Sequence, residues 1–431
     1  MKTYWQTDLL ALWMLNRRLN SEAQNMNLPN CAVVFRPRCR VILVALVAIV
    51  AVGLGFVLFR NKLGFSFWDK PLEQLLEDCG SKDEATRVSA LIALGRHPEY
   101  LPASLNPILP ALLNENELIR LAAEDSIRAM GSDVVPHLKA GLESSVALEF
   151  YCSAAAVRIL GDAASEYAPI FIERLNSDDF NTKMSCLFVL ENFGDRALPA
   201  LNRLIELLDS SNHEFNLQMG ACRVLANLGE KAKPAVPRLI RLVEEGVMSS
   251  RSMALMTLGS IGLSDEHDIL GILTGKLDSF YALERERSLA GLGRLGSAAL
   301  AAKPKIVQLM NDPSKSAVAQ AAYAYWRITG DDQQALVALN LAINDINSQM
   351  PAIEHLGQMG EAAGPAVPAL IHLLDDEEDS TREAVVLALG RIGPAASAAT
   401  SKLSRMSGND SDELIREKAK LALAAINSKK K

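Results

Sequence analysis

The chain has 431 residues and a formal net charge of −7, which is unevenly distributed. Residues 1–70 carry nine Lys or Arg against three Asp or Glu, so residues 71–431 hold the remaining 35 basic and 48 acidic residues, a net of −13. Such an acidic body repels phosphate backbones, and we therefore expect no nucleic-acid partner.

The first predicted element is a transmembrane helix over residues 41–59, VILVALVAIVAVGLGFVLF. The segment contains fourteen Val, Ile, Leu or Phe residues and no charged residue. As an α-helix it spans roughly 28 Å, close to the thickness of a bilayer's hydrocarbon core. A buried core helix would need apolar partners on every side, and a cleaved signal peptide usually has a shorter apolar region that ends in small residues. This run ends in Phe-Val-Leu-Phe-Arg, which favours an uncleaved signal anchor.

The charges that flank this span determine its predicted orientation. The nearest flanks carry three basic residues each: Arg36, Arg38 and Arg40 before the span, and Arg60, Lys62 and Lys70 after it. Arg17 and Arg18 add positive charge on the N-terminal side, and positively charged flanks tend to stay in the cytoplasm. We therefore expect a single-pass membrane protein with residues 1–40 as a cytoplasmic N-terminal segment and residues 60–70 as a juxtamembrane linker. The remainder, residues 71–431, is then expected outside the cytoplasm.

Residues 71–431 repeat with a period of 30 to 35 residues. Eleven helical stretches end at Pro98, Gly131, Gly161, Gly194, Gly229, Gly262, Gly296, Gly330, Gly360, Gly393 and Asn427. A second, shorter apolar helix precedes each stretch, so every unit is predicted to be a helical hairpin. Units this small cannot bury their own apolar faces and must stack on their neighbours. The expected fold is all-α: a right-handed α-solenoid of about eleven helical hairpins.

Two columns of residues indicate how the second helix of each unit packs. Four residues before its end stands an apolar residue, such as Leu94, Leu225 or Trp326, which predicts a core position. Eight residues before the end the residue is nearly always small, as at Ala90 and Cys186, which lets a neighbouring helix approach to about 8 Å. The closing glycines are expected at C′ in the left-handed conformation.

A third column, eleven residues before the end of each second helix, is mostly basic. Its basic members are Arg87, Arg120, Lys183, Arg251, Arg285, Arg382 and Arg416. In four units an acidic residue stands three positions earlier, where its charge suits the start of a helix. The column is interpreted as a structural ladder of ion pairs and hydrogen bonds between the loops of adjacent units. The alternative is a basic stripe that binds a ligand.

The hairpins resemble HEAT repeats. Residues 365–393, PAVPALIHLLDDEEDSTREAVVLALGRIG, carry the Pro, Leu-Leu-x-Asp, Arg and Ala-Leu-Gly-x-Ile-Gly pattern, and residues 234–262 and 267–296 are similar. Units ending at Gly161, Gly330 and Gly360 depart from it because they lack the Arg. The subtype resembled is the short-unit kind named for phycobilisome lyases. The resemblance implies this fold specifically. It implies no particular function, because members of the family bind partners of many kinds.

No constellation in the sequence predicts chemistry. Gly291, Gly293 and Gly296 form a G-x-G-x-x-G motif, but it ends a helix instead of joining a strand to one. The six histidines lack the spacing of a metal site, and zinc needs three or four convergent ligands. Cys152, Cys186 and Cys222 stand at different distances from the ends of their helices and are expected to be free, buried thiols. We therefore predict no enzyme, metal, cofactor or small-molecule substrate.

The predicted function is that of a membrane-anchored scaffold. The concave face of the solenoid, lined by the second helices, is expected to bind a protein or peptide. Tyr323 and Tyr325, beside Trp326, are the candidate binding residues, although repacking around the large Trp is an equal explanation for them. By its resemblance to the lyases, the chain could instead be an enzyme, or an enzyme subunit, that acts on a tetrapyrrole chromophore or its carrier protein.

Overall fold

A computed structural model of the chain describes residues 70–210 and 214–428. The described residues from Pro71 onward form one compact unit. The predicted N-terminal segment 1–40 and the predicted transmembrane helix 41–59 lie outside the described residues, as does the linker up to residue 69. Their topology therefore stays a prediction.

The described part of the chain contains 22 α-helices and no strand, so the all-α prediction is confirmed. The first helices of the hairpins are α1 (Leu72–Cys79), α3 (Leu105–Ala111), α5 (Val135–Glu143), α7 (Ala168–Arg174), α9 (Leu201–Leu207), α11 (Val236–Glu245), α13 (Ile269–Lys276), α15 (Lys303–Leu309), α17 (Asp332–Ala342), α19 (Val367–Leu373) and α21 (Thr400–Asn409). The second helices are α2 (Glu84–Gly95), α4 (Glu117–Met130), α6 (Ala147–Leu160), α8 (Phe180–Leu190), α10 (Phe215–Leu228), α12 (Met248–Ile261), α14 (Ala282–Leu295), α16 (Lys315–Thr329), α18 (Gln349–Met359), α20 (Asp379–Ile392) and α22 (Glu413–Asn427).

The glycines that end the second helices have positive φ, but only one has the left-handed helical conformation that the sequence predicted. Gly131 has φ 58° and ψ −134°, whereas Gly330 has φ 71° and ψ 7°. The extended ψ at Gly131 directs the chain straight into a 3₁₀ helix, Gly131–Val134, that leads to the next hairpin. A Cβ at Gly131 would meet no atom within 4 Å, so the backbone conformation rather than packing requires glycine.

The predicted core columns are buried in nearly every unit. Every residue of the small column, from Ala90 to Ala419, is buried, and so are nine of the eleven in the apolar column, as at Leu94. The exceptions are Trp326 and Leu423, which are only partly buried. Trp326 was expected in the core, but its large indole lies at the rim and Nε1 donates to Asp332 Oδ1 at 2.8 Å.

Glycine and other small residues bring consecutive second helices very close together. A Cβ on Gly259 of α12 would lie 2.2 Å from Gly291 Cα of α14, and one on Gly293 would lie 3.3 Å from Ala324 Cα of α16. Gly291 and Gly293 belong to the G-x-G-x-x-G motif, which here ends α14. In the described structure, these two glycines of the motif serve helix packing.

One stretch of the described residues, Asp379–Asn409, is long and apolar enough to cross a membrane by length and composition alone. It comprises α20, a 3₁₀ helix and α21, and it carries a positive-φ glycine at Gly393. Its α20 packs between α18 and α22, and 44% of its most apolar window is buried. The apolar character of this stretch is that of helices packed inside the array.

Four described cysteines, Cys79, Cys152, Cys186 and Cys222, are free. The last three are buried, as predicted. Burial raises the pKa of the Cys186 and Cys222 thiols to about 12, so both are protonated at neutral pH.

Candidate functional site

A groove of about 320 Å³ lies where the α3–α4 loop meets two consecutive second helices, α6 and α8. We call it the α6–α8 groove, and its lining residues are Leu112, Leu113, Tyr151, Ala154, Ala155, Arg158, Ser185, Phe188 and Val189. Most of these side chains are apolar. Leu113 and Phe188 are 44% and 43% exposed, although apolar side chains at the core positions of the same helices are buried. The groove therefore offers an apolar surface that the array itself does not cover.

Tyr151 is held in place at this groove by a neighbouring helix cap. Its hydroxyl donates to Asp179 Oδ2 at 2.7 Å, and the same carboxylate caps α8 by accepting from Thr182 N at 2.7 Å. These hydrogen bonds lower the pKa of Asp179, with the Tyr151 hydroxyl as the largest cause. The Tyr151 ring thus has a fixed position at the groove.

Paired charges stand at the rim of the groove. The Arg223 guanidinium lies 5.3 Å from the centre of the Phe188 ring, and its Nε is 2.9 Å from Glu191 Oε2. On the other side, Arg158 Nη2 is 4.0 Å from Glu124 Oε1. An apolar floor with paired charges at its edge suits a mixed peptide better than a strongly charged ligand.

The predicted ladder residues make contacts of two kinds. Arg285 donates through Nε and Nη2 to both carboxylate oxygens of Asp312, at 2.8 and 2.6 Å, and Arg382 does the same with Asp410 at 3.1 Å each. Arg251 Nε lies 2.8 Å from Glu284 Oε1. In each case the acid belongs to the next unit along the chain.

Other members of this column bind within their own unit or depart from the pattern. Arg120 donates to Asn114 O at 3.0 Å, and Arg416 donates to Asp410 O at 2.7 Å. Arg87 Nε has no hydrogen-bond partner within the described residues, nor does Lys183 form an ion pair there.

In one unit this column holds Phe150 instead of a basic residue, and an arginine from the next hairpin replaces the missing one. Arg174 lies 4.6 Å above the Phe150 ring and donates to Ser144 O at 2.8 Å. The sequence analysis did not identify Arg174, because this residue stands in another unit and outside the column.

The two candidate binding residues, Tyr323 and Tyr325, lie in different environments. Tyr325 is 2% exposed, and its hydroxyl donates to Asp331 Oδ2 at 3.0 Å. Tyr323 is partly buried and stacks on His355 of α18 at 4.4 Å between ring centroids. Tyr325 therefore presents no surface to a partner in this arrangement, and a binding role for Tyr323 stays a prediction.

Within residues 70–210 and 214–428, no group of three His, Cys, Asp or Glu side chains is placed to hold a metal ion. The described structure provides a groove, ion pairs to the next unit at Arg251, Arg285 and Arg382, and closely packed helices.

A comparison with known protein families agrees with this architecture. Residues 341–424 match the HEAT-repeat family. The chain thus contains HEAT repeats. Its remaining described units are hairpins of the same kind, with the same buried small column. No curated protein sequence matches this HEAT-repeat chain.

Solved structures similar to this HEAT-repeat protein include two of importin-β. Yeast importin-β (Kap95p) is 10% identical with a TM-score of 0.46, and the match covers 86% of this chain and 58% of that one. Importin-β in an ammonium sulfate condition is 14% identical with a TM-score of 0.39, over 83% of this chain and 58% of the other. The chain thus spans little more than half the length of these importin-β chains.

A third similar structure is the complex of CpcE and CpcF of phycocyanin lyase from Nostoc sp. PCC7120. It is 19% identical with a TM-score of 0.33, and the match covers 64% of this chain and 95% of that one.

Proposed function

We propose that this HEAT-repeat protein is a non-enzymatic, membrane-anchored scaffold that binds a protein or peptide along its second helices. The observation that carries the proposal is the α6–α8 groove, where Phe188 and Leu113 are exposed beside the fixed ring of Tyr151. Rigid aromatic side chains supply much of the binding energy at protein interfaces because they bury a large area at little entropic cost.

The dimensions of the groove suit a few apolar side chains of an extended peptide. Its volume of about 320 Å³ is at the lower end of the range for small-ligand pockets. The cationic groups nearest to it are paired with Glu124 and Glu191, so their charges are already compensated. We therefore infer a partner segment with aromatic or branched apolar residues at its centre.

Membrane anchoring is the second component of the proposal. Its support is the uncharged apolar run at residues 41–59, whose length matches a bilayer. Anchoring there would hold the solenoid at the membrane surface, with residues 60–70 as the linker. The proposed orientation has the N-terminus in the cytoplasm and the solenoid outside it.

Selection from a random peptide library on the detergent-solubilised full-length protein tests the binding function. We expect enriched peptides with an aromatic or branched apolar core. Their affinity should fall at least about tenfold in Phe188→Asp, since removing one well-placed aromatic contact at an interface costs about 2 kcal/mol. Phe280→Asp is the matched control, because Phe280 is 91% exposed but does not line the groove.

Equal losses in both variants, or no enrichment at all, would refute the groove as the binding site. If the purified protein instead carries a bound chromophore with tetrapyrrole absorbance, the alternative role in tetrapyrrole chemistry replaces the scaffold proposal.

A further inference from the structure

Three arginines on neighbouring second helices lack an acidic partner in the part of the chain that the structure describes. They are Arg287 and Arg294 of α14 and Arg327 of α16, and we call them the arginine cluster. By contrast, Arg128 of α4 pairs with Glu124 and Asp125, at 2.8 and 3.1 Å. An uncompensated positive cluster is unusual in a body with a net charge of −13.

Packing contacts hold the three side chains on adjoining helices. Arg287 and Arg294 are seven residues apart, about two turns, and therefore share one side of α14. Arg287 Nη1 lies 3.7 Å from Met256 Sδ, and Arg294 Nη1 donates to Ser260 Oγ, both on α12. Arg327 stands beside α14, since a Cβ on Gly293 would lie 3.8 Å from Arg327 Cβ. The cluster thus lies on α14 and α16, and its α14 side chains contact α12.

The charges of Arg287 and Arg327 act on Arg294. Packing around the guanidinium lowers the pKa of Arg294, and the positive charges of Arg287 and Arg327 lower it further. Such repulsion costs free energy unless an anion relieves it. A bound carboxylate or phosphate would do so through the planar, bidentate hydrogen bonds that guanidinium groups form.

Acidic side chains on these and the adjoining helices are engaged elsewhere. Glu286 of α14 accepts from Ser314 Oγ at 3.2 Å, and Glu354 of α18 accepts from Gln358 Nε2 at 3.1 Å. Asp332 accepts from Trp326 at 2.8 Å. None of these three is within ion-pair distance of the arginine cluster. The acid that would complete the cluster is thus absent from the described residues.

We infer that the arginine cluster binds the acidic side chains of an extended segment of a partner protein. The inference rests on the proposed function as a protein-binding scaffold, and it names a second contact outside the α6–α8 groove. Arg287 and Arg294 are about 10 Å apart along α14, and the step from α14 to α16 is about 8–10 Å, so an extended segment of about six residues spans the cluster. Two or three carboxylates, or one phosphate, within that length would match three guanidinium groups.

An acidic peptide fits this site better than nucleic acid does. A nucleic acid would extend past the three arginines onto a body with 48 acidic and 35 basic residues, where its backbone is repelled. A short acidic segment places its charge at the arginine cluster alone.

Fluorescence anisotropy on the solubilised full-length protein tests the inference. The probes are labelled peptides of about eight residues, long enough to span the cluster: one rich in glutamate, one with phosphoserines and one with glutamine in place of glutamate. We expect the first two to bind and the third not to bind. The affinity should fall about tenfold in Arg327→Gln and in Arg287→Gln, because each loses a charge-assisted hydrogen-bond pair.

Arg128→Gln is the matched control, since it removes an exposed arginine from another second helix whose charge is already paired, and it should change the affinity less than twofold. Equal effects of all three variants, or equal binding of the glutamine peptide, would refute the site. Tighter binding of a single-stranded oligonucleotide than of either acidic peptide would refute the class of partner.

The two proposals fail separately. Phe188→Asp should leave the acidic peptides bound while it weakens the library-selected peptides. If the library peptides bind away from the groove but Arg327→Gln still weakens the acidic ones, the arginine cluster stands and the groove does not.

Discussion

The imidazole ring of His355 on α18 stacks face to face on the phenol ring of Tyr323 on α16, with 4.4 Å between centroids and 4° between planes. Trp326 adjoins the same pair, 5.6 Å from Tyr323. His355 is 9% exposed, and its Nδ1 has no hydrogen-bond partner within the described residues. The junction between α16 and α18 thus consists of stacked rings.

This burial makes the stability of the junction depend on pH. Burial lowers the pKa of His355 from 6.5 to about 4. Between these values the unfolded chain takes up a proton that the folded chain does not, so the free energy of unfolding is highest above pH 6.5 and falls as the pH drops towards 4. The loss should reach about 3 kcal/mol at most.

Thermal unfolding of wild type and His355→Phe at pH 7 and pH 5 checks this. The variant keeps a ring for stacking but cannot titrate, so its midpoint should fall less between the two pH values than that of wild type. Parallel shifts in the two proteins would contradict the assignment to His355.

Gly259→Ala should destabilise the protein by about 3 kcal/mol, because the new Cβ would lie 2.2 Å from Gly291 Cα and must push α12 and α14 apart. Gly275→Ala is the control. Its Cβ meets no atom within 4 Å, and alanine in a helix is favoured by about 0.5–1 kcal/mol over glycine. Chemical denaturation should therefore show opposite signs for the two substitutions.

Removal of Arg285 should cost about 3 kcal/mol, since it leaves the buried carboxylate of Asp312 without its bidentate partner. Their side chains are 13% and 3% exposed. In a double-mutant cycle with Arg285→Met and Asp312→Asn, the double variant should recover much of the loss. Arg128→Met, which breaks exposed pairs with Glu124 and Asp125, should cost less than about 1 kcal/mol.

Cys186 and Cys222 should resist alkylation in the folded protein. The reactive form is the thiolate, and burial raises the pKa of both thiols to about 12. Site-resolved mass spectrometry after iodoacetamide at pH 8 should find both unmodified, with full modification after unfolding. Fast labelling of either one in the native state would show that its helix opens readily.

The sequence predicted the hairpins because their constraints are local. A glycine ends a second helix wherever φ must be positive, and a small residue recurs wherever two second helices touch, as at Ala90. These requirements repeat in each unit, so the period is visible in one sequence.

Contacts between units could not be predicted in the same way. The partner of Arg285 lies 27 residues away, in the next hairpin's loop. The α6–α8 groove likewise joins Tyr151 to Phe188 of the following unit. Such pairings depend on the rotation between hairpins, which side-chain packing determines.

The turn at Gly330 explains why Trp326 and Tyr325 differ in burial from the sequence prediction. At Gly330 the chain turns in the left-handed conformation and enters α17 at Asp332, without the 3₁₀ helix found after Gly296. Asp331 and Asp332 then lie close enough to accept from Tyr325 and Trp326. The sequence column assigned Trp326 to the core, but this turn buries Tyr325 instead.

The glycine contacts described above also bear on how the array responds to force. Backbone touches backbone at Gly259 and Gly291, and nearly so at Gly293 and Ala324, so at these points no side chain separates the second helices from α12 to α16. Between α16 and α18, by contrast, the stacked rings of Tyr323 and His355 lie at the contact. Under load the array should therefore flex at this ring junction, while α12 moves as a stiff block with α14 and α16, the two helices of the arginine cluster.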